Sequence, residues 1–209
     1  MRRATTTAMG LVALVVMLVL GVFSAGSASA QLFLYTGPLP ALILVLNDNN
    51  QIFTVEPASE IAFQITCRHF RGHGTTPIAT MKAASVIIIG TYSKCEATGG
   101  IPATVTPAEY EIGADGSVSV LKSIVITVAG AAKCSVKVNS GGPNDHLLLL
   151  LFLNNPSGDI LAHVEVSGIR SLSSGGVCGG AGVEKTEGTY FGLLLVWAHG
   201  GSIKWDPTH

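Results

Sequence analysis

Hydrophobic and polar residues alternate with a period of two along much of this chain, which is the pattern of half-buried β-strands. The alternation is clearest at residues 61–68, 134–139 and 160–167. Stretches rich in β-branched residues lie between them, for example at 86–89 and 124–128, and such side chains favour strands over helices. The pattern therefore predicts a chain built mainly of strands.

Turn residues fall between these strands at short intervals. Residues 113–116, Gly-Ala-Asp-Gly, separate two apolar stretches as in a hairpin, and residues 154–159 include the sequence Asn-Pro-Ser-Gly, which favours a reversal of the chain. Short turns between successive strands predict antiparallel pairing. We therefore predict an all-β fold, either an antiparallel sandwich or a partly closed barrel. The leucine run 147–153 is predicted to be a buried strand, and a short helix is predicted at 80–85.

The first thirty residues have the layout of a secretory signal peptide. Two arginines are followed by an apolar run at 11–23 and by the small residues Ala-Ser-Ala, and this order is typical of export signals. The run is shorter than the roughly 20 residues that a membrane-spanning helix needs. We predict cleavage between Ala30 and Gln31, export by the general secretory route, and a single secreted domain at 31–209.

Composition narrows the classes of function. Charged residues make up 12% of the chain and its formal net charge is −1, which becomes −3 once the two arginines of residues 1–30 are removed. Nucleic-acid binding requires basic patches, so it is not expected. No permanent membrane anchor is expected after cleavage, and no cofactor is predicted. The 25 glycines indicate many turns and little helix.

The cysteines of an exported protein are expected to form disulfides. Cys67, Cys95, Cys134 and Cys178 allow three pairings. We favour Cys67–Cys95 and Cys134–Cys178, because these follow sequence order and give each half of the domain its own bond. Each would join a cysteine within a strand to one at a loop edge.

A zinc site is the alternative role for one of these cysteines. Cys67 lies close in sequence to His69 and His73, and thiolate with imidazole is zinc chemistry. The spacing matches no standard zinc motif, so no metal site is predicted. Alternation places His69 inward and His73 in a loop.

Known catalytic motifs are absent from the sequence. It contains no G-x-S-x-G, C-x-x-C or H-E-x-x-H motif and no phosphate-binding loop. Glu109 and Glu111 lie on one face of a strand and are interpreted as a solvated edge rather than a pair of catalytic carboxylates. No catalytic residue is predicted, and enzymatic activity is not expected.

Several segments resemble a group of uncharacterised secreted β-rich proteins of actinobacteria. The similar segments are residues 95–100, 110–120, 124–128, 133–136, 154–155, 166–169 and the ending at 188–190 and 200–205. The resemblance implies an exported, disulfide-bonded β domain and no activity.

Three functions remain as hypotheses. The first is an extracellular binding or cell-envelope module without catalytic activity, whose ligand would be a cell-wall or other extracellular molecule and whose Trp205 would be an exposed contact or a plug at a strand end. The second is a hydrolase whose site combines His69, His73 or His163 with a carboxylate. The third is a β-barrel that carries an apolar ligand.

Overall fold

The computed structural model describes residues 31–55, 63–76, 81–130, 134–141, 147–148, 150–175 and 182–208. The predicted signal peptide therefore lies outside the described residues. The regular elements within these ranges are all strands, and no described helix is long and apolar enough to cross a membrane. The helix predicted at 80–85 is wrong, because Lys82–Ala83 forms a short strand and the next strand starts at Ser85.

The sixteen strands follow one another along the chain. They are β1 (Leu32–Thr36), β2 (Leu42–Asn47), β3 (Gln51–Val55), β4 (Phe63–Thr75), β5 (Lys82–Ala83), β6 (Ser85–Ala97), β7 (Ile101–Val105), β8 (Ala108–Gly113), β9 (Ser117–Lys122), β10 (Ile124–Val128), β11 (Cys134–Val138), β12 (Leu147–Leu148), β13 (Leu150–Asn154), β14 (Ile160–Ser174), β15 (Val183–Ala198) and β16 (Ser202–Asp206).

Several of these strands join end to end into longer ones. Strands β2 and β3 both pair with β4 and with β15, so they act as one strand interrupted at residues 48–50. In the same way β7 continues into β8 along β6, and β9 continues into β10 along that pair. The strand between β9–β10 and β14 is formed by three pieces, β11, β12 and β13.

The eight long strands close into an antiparallel barrel in which each pairs with its neighbours in sequence. The barrel closes where β15 pairs with β2 and β3, the last long strand with the first. The predicted all-β antiparallel fold is confirmed, and the barrel is closed rather than partly open. A closed barrel leaves no exposed sheet edge around its wall.

The barrel interior is filled by side chains at alternate positions. Ile65 and Cys67 on β4 face inward, and after a break in the alternation Phe70 and Gly72 do so. The paired strand β6 breaks its alternation at the same level, where Lys94 has a φ of 53°. A left-handed residue of this kind turns the strand locally, and the positions that face the core change on both strands at this level while the pairing register is kept.

A small sheet closes one end of the barrel. Strand β1 pairs with β16 and β5, and the ring of Phe33 packs edge-on against Phe152 on the barrel wall at 5.2 Å between centroids. Trp205 packs against the same phenylalanine at 5.7 Å and donates from Nε1 to the Ala114 carbonyl at 2.8 Å. Asn154 fixes the backbone of Trp205 with two 2.7 Å hydrogen bonds. The tryptophan is therefore a plug at the strand end.

Strand β13, in the second half of the leucine run, is buried on one face only at residues 151–153. Phe152 is 6% exposed, whereas Leu151 and Leu153 on either side of it are 60% and 62% exposed. The prediction of a wholly buried strand is therefore wrong. Leu153 lies opposite Leu161, which lies opposite Leu195, so a row of leucines crosses the outside of the barrel.

Candidate binding site inside the barrel

The barrel encloses a cavity of about 80 Å³. Residues from β2, β3, β4, β6, β8, β9, β10, β11, β14 and β15 line it, so it occupies the centre of the barrel rather than a cleft in the wall. The lining is aliphatic or aromatic throughout and contains no charged residue; it comprises Val45, Phe53, Phe70, Ile88, Tyr92, Tyr110, Ile112, Val118, Val120, Ile124, Val138, Val164, Val166, Ile169, Tyr190 and Leu194.

A second and smaller void of about 20 Å³ adjoins this cavity on the side of the cap sheet. It shares Val45, Ile88, Ile112 and Leu194 with the larger cavity, and its other lining residues, which include Phe33 and Phe152, are apolar too. Among the described residues that line the two voids, only the tyrosines of the larger one carry polar side-chain groups.

Gln51 is fully buried at the point where β2 passes into β3. Its Nε2 donates to the carbonyl of Asn49 at 3.1 Å and to that of Leu193 at 3.4 Å. Since the amide nitrogen is held by two carbonyl oxygens, Oε1 is directed to the hydroxyl of Tyr190, which donates to it in a short hydrogen bond. The orientation of this amide is thereby fixed by its partners.

Asparagine side chains hold the interruption between β2 and β3 in place, next to Gln51. The Asn47 side chain donates to the Asn49 and Arg68 carbonyls, both at 2.7 Å, and accepts from the backbone of Phe70 at 2.9 Å. The Asn49 side chain accepts from the Leu193 amide at 2.8 Å. Asparagine side chains satisfy backbone groups in this way where a strand is interrupted.

Gly192 makes room for the glutamine. A Cβ at this position would lie 2.1 Å from Oε1 of Gln51 and 2.6 Å from its Cδ. Gly192 lies on β15 between two residues that line the cavity, Tyr190 and Leu194, so a side chain here would occupy the position of Gln51.

Two further tyrosines lie beside Tyr190 in the barrel interior. The ring of Phe53 contacts the rings of both Tyr92 and Tyr190, and the hydroxyl oxygens of Tyr92 and Tyr110 form a hydrogen bond at 2.7 Å. The interior therefore holds two hydrogen-bonded pairs, Gln51 with Tyr190 and Tyr92 with Tyr110. All three tyrosines line the cavity.

Burial strongly disfavours ionisation of these phenols. Desolvation is the largest cause that raises the pKa of Tyr92, Tyr110 and Tyr190, each well above the usual value of 10. Around Tyr92, the neighbouring Tyr110 and Tyr190 raise the pKa further. The site is therefore electrically neutral at physiological pH.

Aromatic packing fixes the tyrosine rings. The Tyr92 ring contacts Phe53 and Phe70 at centroid distances of 5.2 and 4.8 Å, and Phe53 also contacts Tyr190 at 4.8 Å. Phe70 reaches into the barrel over Gly90, whose absent Cβ would lie 2.5 Å from the phenylalanine ring. Offset and edge contacts of this kind stabilise aromatic clusters, so the hydroxyls are held in position.

The first favoured disulfide is present. Cys67 and Cys95 lie directly opposite each other on β4 and β6 and are bonded. Both are buried, and Cys95 lies within a strand rather than at a loop edge. In the second favoured pair, Cys134–Cys178, Cys178 lies outside the described residues, so that pairing stays a prediction, as does cleavage between Ala30 and Gln31.

The histidines considered for metal or catalysis do not come together. His69 and His73 are exposed on the outside of β4, so the inward position predicted for His69 and the loop predicted for His73 are wrong. The break in the alternation of β4 places His69 outside, and His73 is a strand residue because β4 continues to Thr75. His163 is on β14, where its Nε2 is buried without a hydrogen-bond partner and its ring packs against Phe191. Within the described ranges no group of three metal-ligating residues occurs.

Glu109 and Glu111 on β8 face the outside of the barrel, whereas Tyr110 between them lines the cavity. Glu111 accepts a hydrogen bond from the Ser85 hydroxyl at 2.7 Å, and Glu109 lies opposite Lys122 in the register. These contacts suit a surface pair. The alternation that places both glutamates outward also places Tyr110 inward, and this is the signal by which sequence reasoning could have found a member of the site.

No protein-family model, no curated protein and no solved structure matches this chain. The function of this protein is therefore inferred from the geometry of the barrel and its interior.

Proposed function

We propose that this is a secreted binding protein whose barrel takes up a small, mainly apolar molecule. The observation that carries the proposal is the central cavity of about 80 Å³, lined by aliphatic and aromatic side chains with hydroxyl groups at one point. Binding pockets typically combine an apolar lining with a few placed polar groups. Among the three functions that the sequence left open, this geometry favours the carrier.

The direct test of uptake uses xenon, which binds apolar cavities without regard to hydrogen bonding. We expect the xenon resonance of a solution of the secreted protein to shift as the gas enters the cavity. Val120→Ile adds one methylene group to the cavity lining and should weaken xenon binding. Val136→Ile adds the same group at a fully buried position that does not line the cavity, and it should leave xenon binding unchanged. Absence of xenon binding in the native protein would overturn the proposal.

Export is supported by the signal-like first thirty residues and is compatible with the disulfide between β4 and β6. Expression of the full chain in a secreting host, followed by mass spectrometry of the protein in the medium, tests it. The expected N-terminus is Gln31. Retention of an uncleaved chain in the cells would contradict this part of the proposal.

A surface-binding role, as an envelope module, is the second candidate, and the leucines outside the barrel favour it. Leu151 and Leu153 are 60% and 62% exposed next to one another, and exposed apolar groups of this kind often mark contact sites. Pull-down from envelope extracts with the native protein and with a Leu151→Ser, Leu153→Ser variant tests this role. Equal recovery of the same material by both proteins would exclude the leucines as the contact.

A further inference from the structure

We propose that small molecules reach the cavity through the barrel wall between β14 and β15, at a gate formed by the side chain of Ile169. This inference rests on the proposed function and adds the route by which the cavity is filled. It is carried by the position of Ile169, which lines the cavity and is half-buried, at the place where the pairing of these two strands is irregular.

The register between β14 and β15 shifts twice beside the cavity. Val166 lies opposite Tyr190, but Ile169 lies opposite Gly188, so β14 has one extra residue in this interval. By Ser171 the first register has returned, because β15 has one extra residue in the next interval. Each shift leaves a residue outside the regular ladder of hydrogen bonds, as in a β-bulge. The two irregularities therefore lie on either side of Ile169.

The strand pairings described for residues 165–169 are with β15 alone. On the other side of β14, β13 pairs with it as far as Val164, and β11 pairs with it from Ser171 onward. Segments with fewer backbone hydrogen bonds open locally at a lower free energy. The register shift between Glu109 and Tyr110 on β8 also borders the cavity, but there β6 pairs with β8 along its whole length.

Two glycines give Ile169 room to move. Gly168, directly before it, has a φ of 74°, and nothing lies within 4 Å of the position that a Cβ would take there. Gly188, directly across from it, has no side chain, and a Cβ at that position would lie 3.2 Å from the Cβ of Ile169. Glycine changes its backbone conformation at little steric cost, so the segment can bend without displacing a side chain on β15.

Ile169 separates the cavity from solvent at this point of the wall. Val166 and Tyr190 beside it also line the cavity, whereas Ser167 and Thr189 on the same two strands are exposed. Outward movement of Ile169 together with its bulged segment would therefore connect the cavity with solvent. The regular pairings of β14 on either side of the segment would stay in place during this movement.

Saturation transfer between free and bound xenon, in a solution of the secreted protein, measures the association rate constant of xenon with the cavity. Ile169→Ala shortens the gate and should raise this constant about tenfold, which is about the effect of the packing that a half-buried isoleucine loses on truncation to alanine. Ile169→Val removes one methylene group instead of three carbons, so its rate constant should lie between those of the native protein and Ile169→Ala.

Ile112→Ala is the matched control. Ile112 is also a half-buried isoleucine of the cavity lining, but it lies on β8 opposite Val86 on one side and Val118 on the other. The substitution removes the same atoms from the cavity wall without touching the gate. The association rate constant of xenon should therefore be the same as in the native protein.

The outcomes separate this inference from the proposed function. If xenon binds, but Ile169→Ala and Ile112→Ala have equal association rate constants, entry at Ile169 is wrong and the carrier proposal stands. If xenon does not bind to the native protein, both are overturned.

Discussion

Gly192→Ala is expected to destabilise the barrel by displacing Gln51 from its buried site. The new methyl group would lie 2.1 Å from Oε1 and 2.8 Å from Nε2 of the glutamine. The backbone of β15 is held on both sides by β14 and by β2 and β3, so the glutamine side chain must move instead. The two shorter of its three side-chain hydrogen bonds, those with Tyr190 and the Asn49 carbonyl, would be lost.

The size of the effect follows from those bonds. Two buried hydrogen bonds at about 1 kcal/mol each give a loss of about 2 kcal/mol. Truncation of Gln51 to alanine removes the three atoms that lie nearest to the new methyl group. In that background Gly192→Ala should instead stabilise by about 0.5 kcal/mol, because alanine restricts the unfolded chain. The two substitutions should therefore be coupled by about 2 to 3 kcal/mol.

Urea unfolding of the native protein, both single variants and the double variant measures this coupling, provided that the slope of the transition is the same in all four. Equal destabilisation by Gly192→Ala with and without Gln51 would refute the reasoning. It would mean that the glycine is required by something other than the glutamine.

Four further outcomes test other parts of the structure. Cys95→Ala should reduce the free energy of unfolding by about 3–4 kcal/mol in the chain-entropy model, an effect that chemical denaturation without reductant measures. Phe152→Ala should cost about 3–5 kcal/mol, whereas Leu151→Ser beside it should change stability by no more than about 0.5 kcal/mol; similar losses would contradict the observed exposure. Val120→Ile should stabilise by up to about 0.8 kcal/mol by filling the cavity, and Val136→Ile should destabilise by about 1–3 kcal/mol through overpacking, both read from thermal melts. Burial raises the pKa of all four tyrosines above 10. The stability that comes from keeping these phenols protonated is therefore complete below pH 10 and declines as the pH rises above it. Tyrosinate absorbance should appear only as the protein unfolds, and titration of the native protein near pH 10 would contradict this.

Local patterns in the sequence are sufficient to predict much of the wall of the barrel. The alternation at 160–167 predicts the inward face of β14, since Ile160, Ala162, Val164 and Val166 are all buried. The Gly-Ala-Asp-Gly turn predicts the β8–β9 hairpin, where the Asp115 side chain accepts from the amide and hydroxyl of Ser117. These features depend on neighbours in sequence, and the periodicity records them directly.

Closure and the interior depend on distant residues, which periodicity does not record. The pairing of Leu46 with Leu195 that helps to close the barrel joins two strands at opposite ends of the chain. Lys94 shows no propensity for its left-handed backbone, and its position reverses the faces of β6 and leaves His69 outside. Hydrophobicity alone predicts that the leucine run is buried, although alternation with a period of two exposes Leu151 and Leu153 on either side of Phe152.

The polar pairs in the interior support the proposed binding role, because stability alone does not require them. Apolar side chains at Gln51, Tyr92, Tyr110 and Tyr190 would serve a barrel that had only to be stable, since replacing both members of a buried hydrogen-bonded pair by apolar groups of similar shape is close to neutral. The glutamine also requires a glycine at position 192. Tyr92, Tyr110 and Tyr190 line the space that packing leaves unfilled. Binding pockets combine an apolar lining with a few placed polar groups, and hydroxyl groups at the cavity wall agree with the proposal that the cavity holds a molecule.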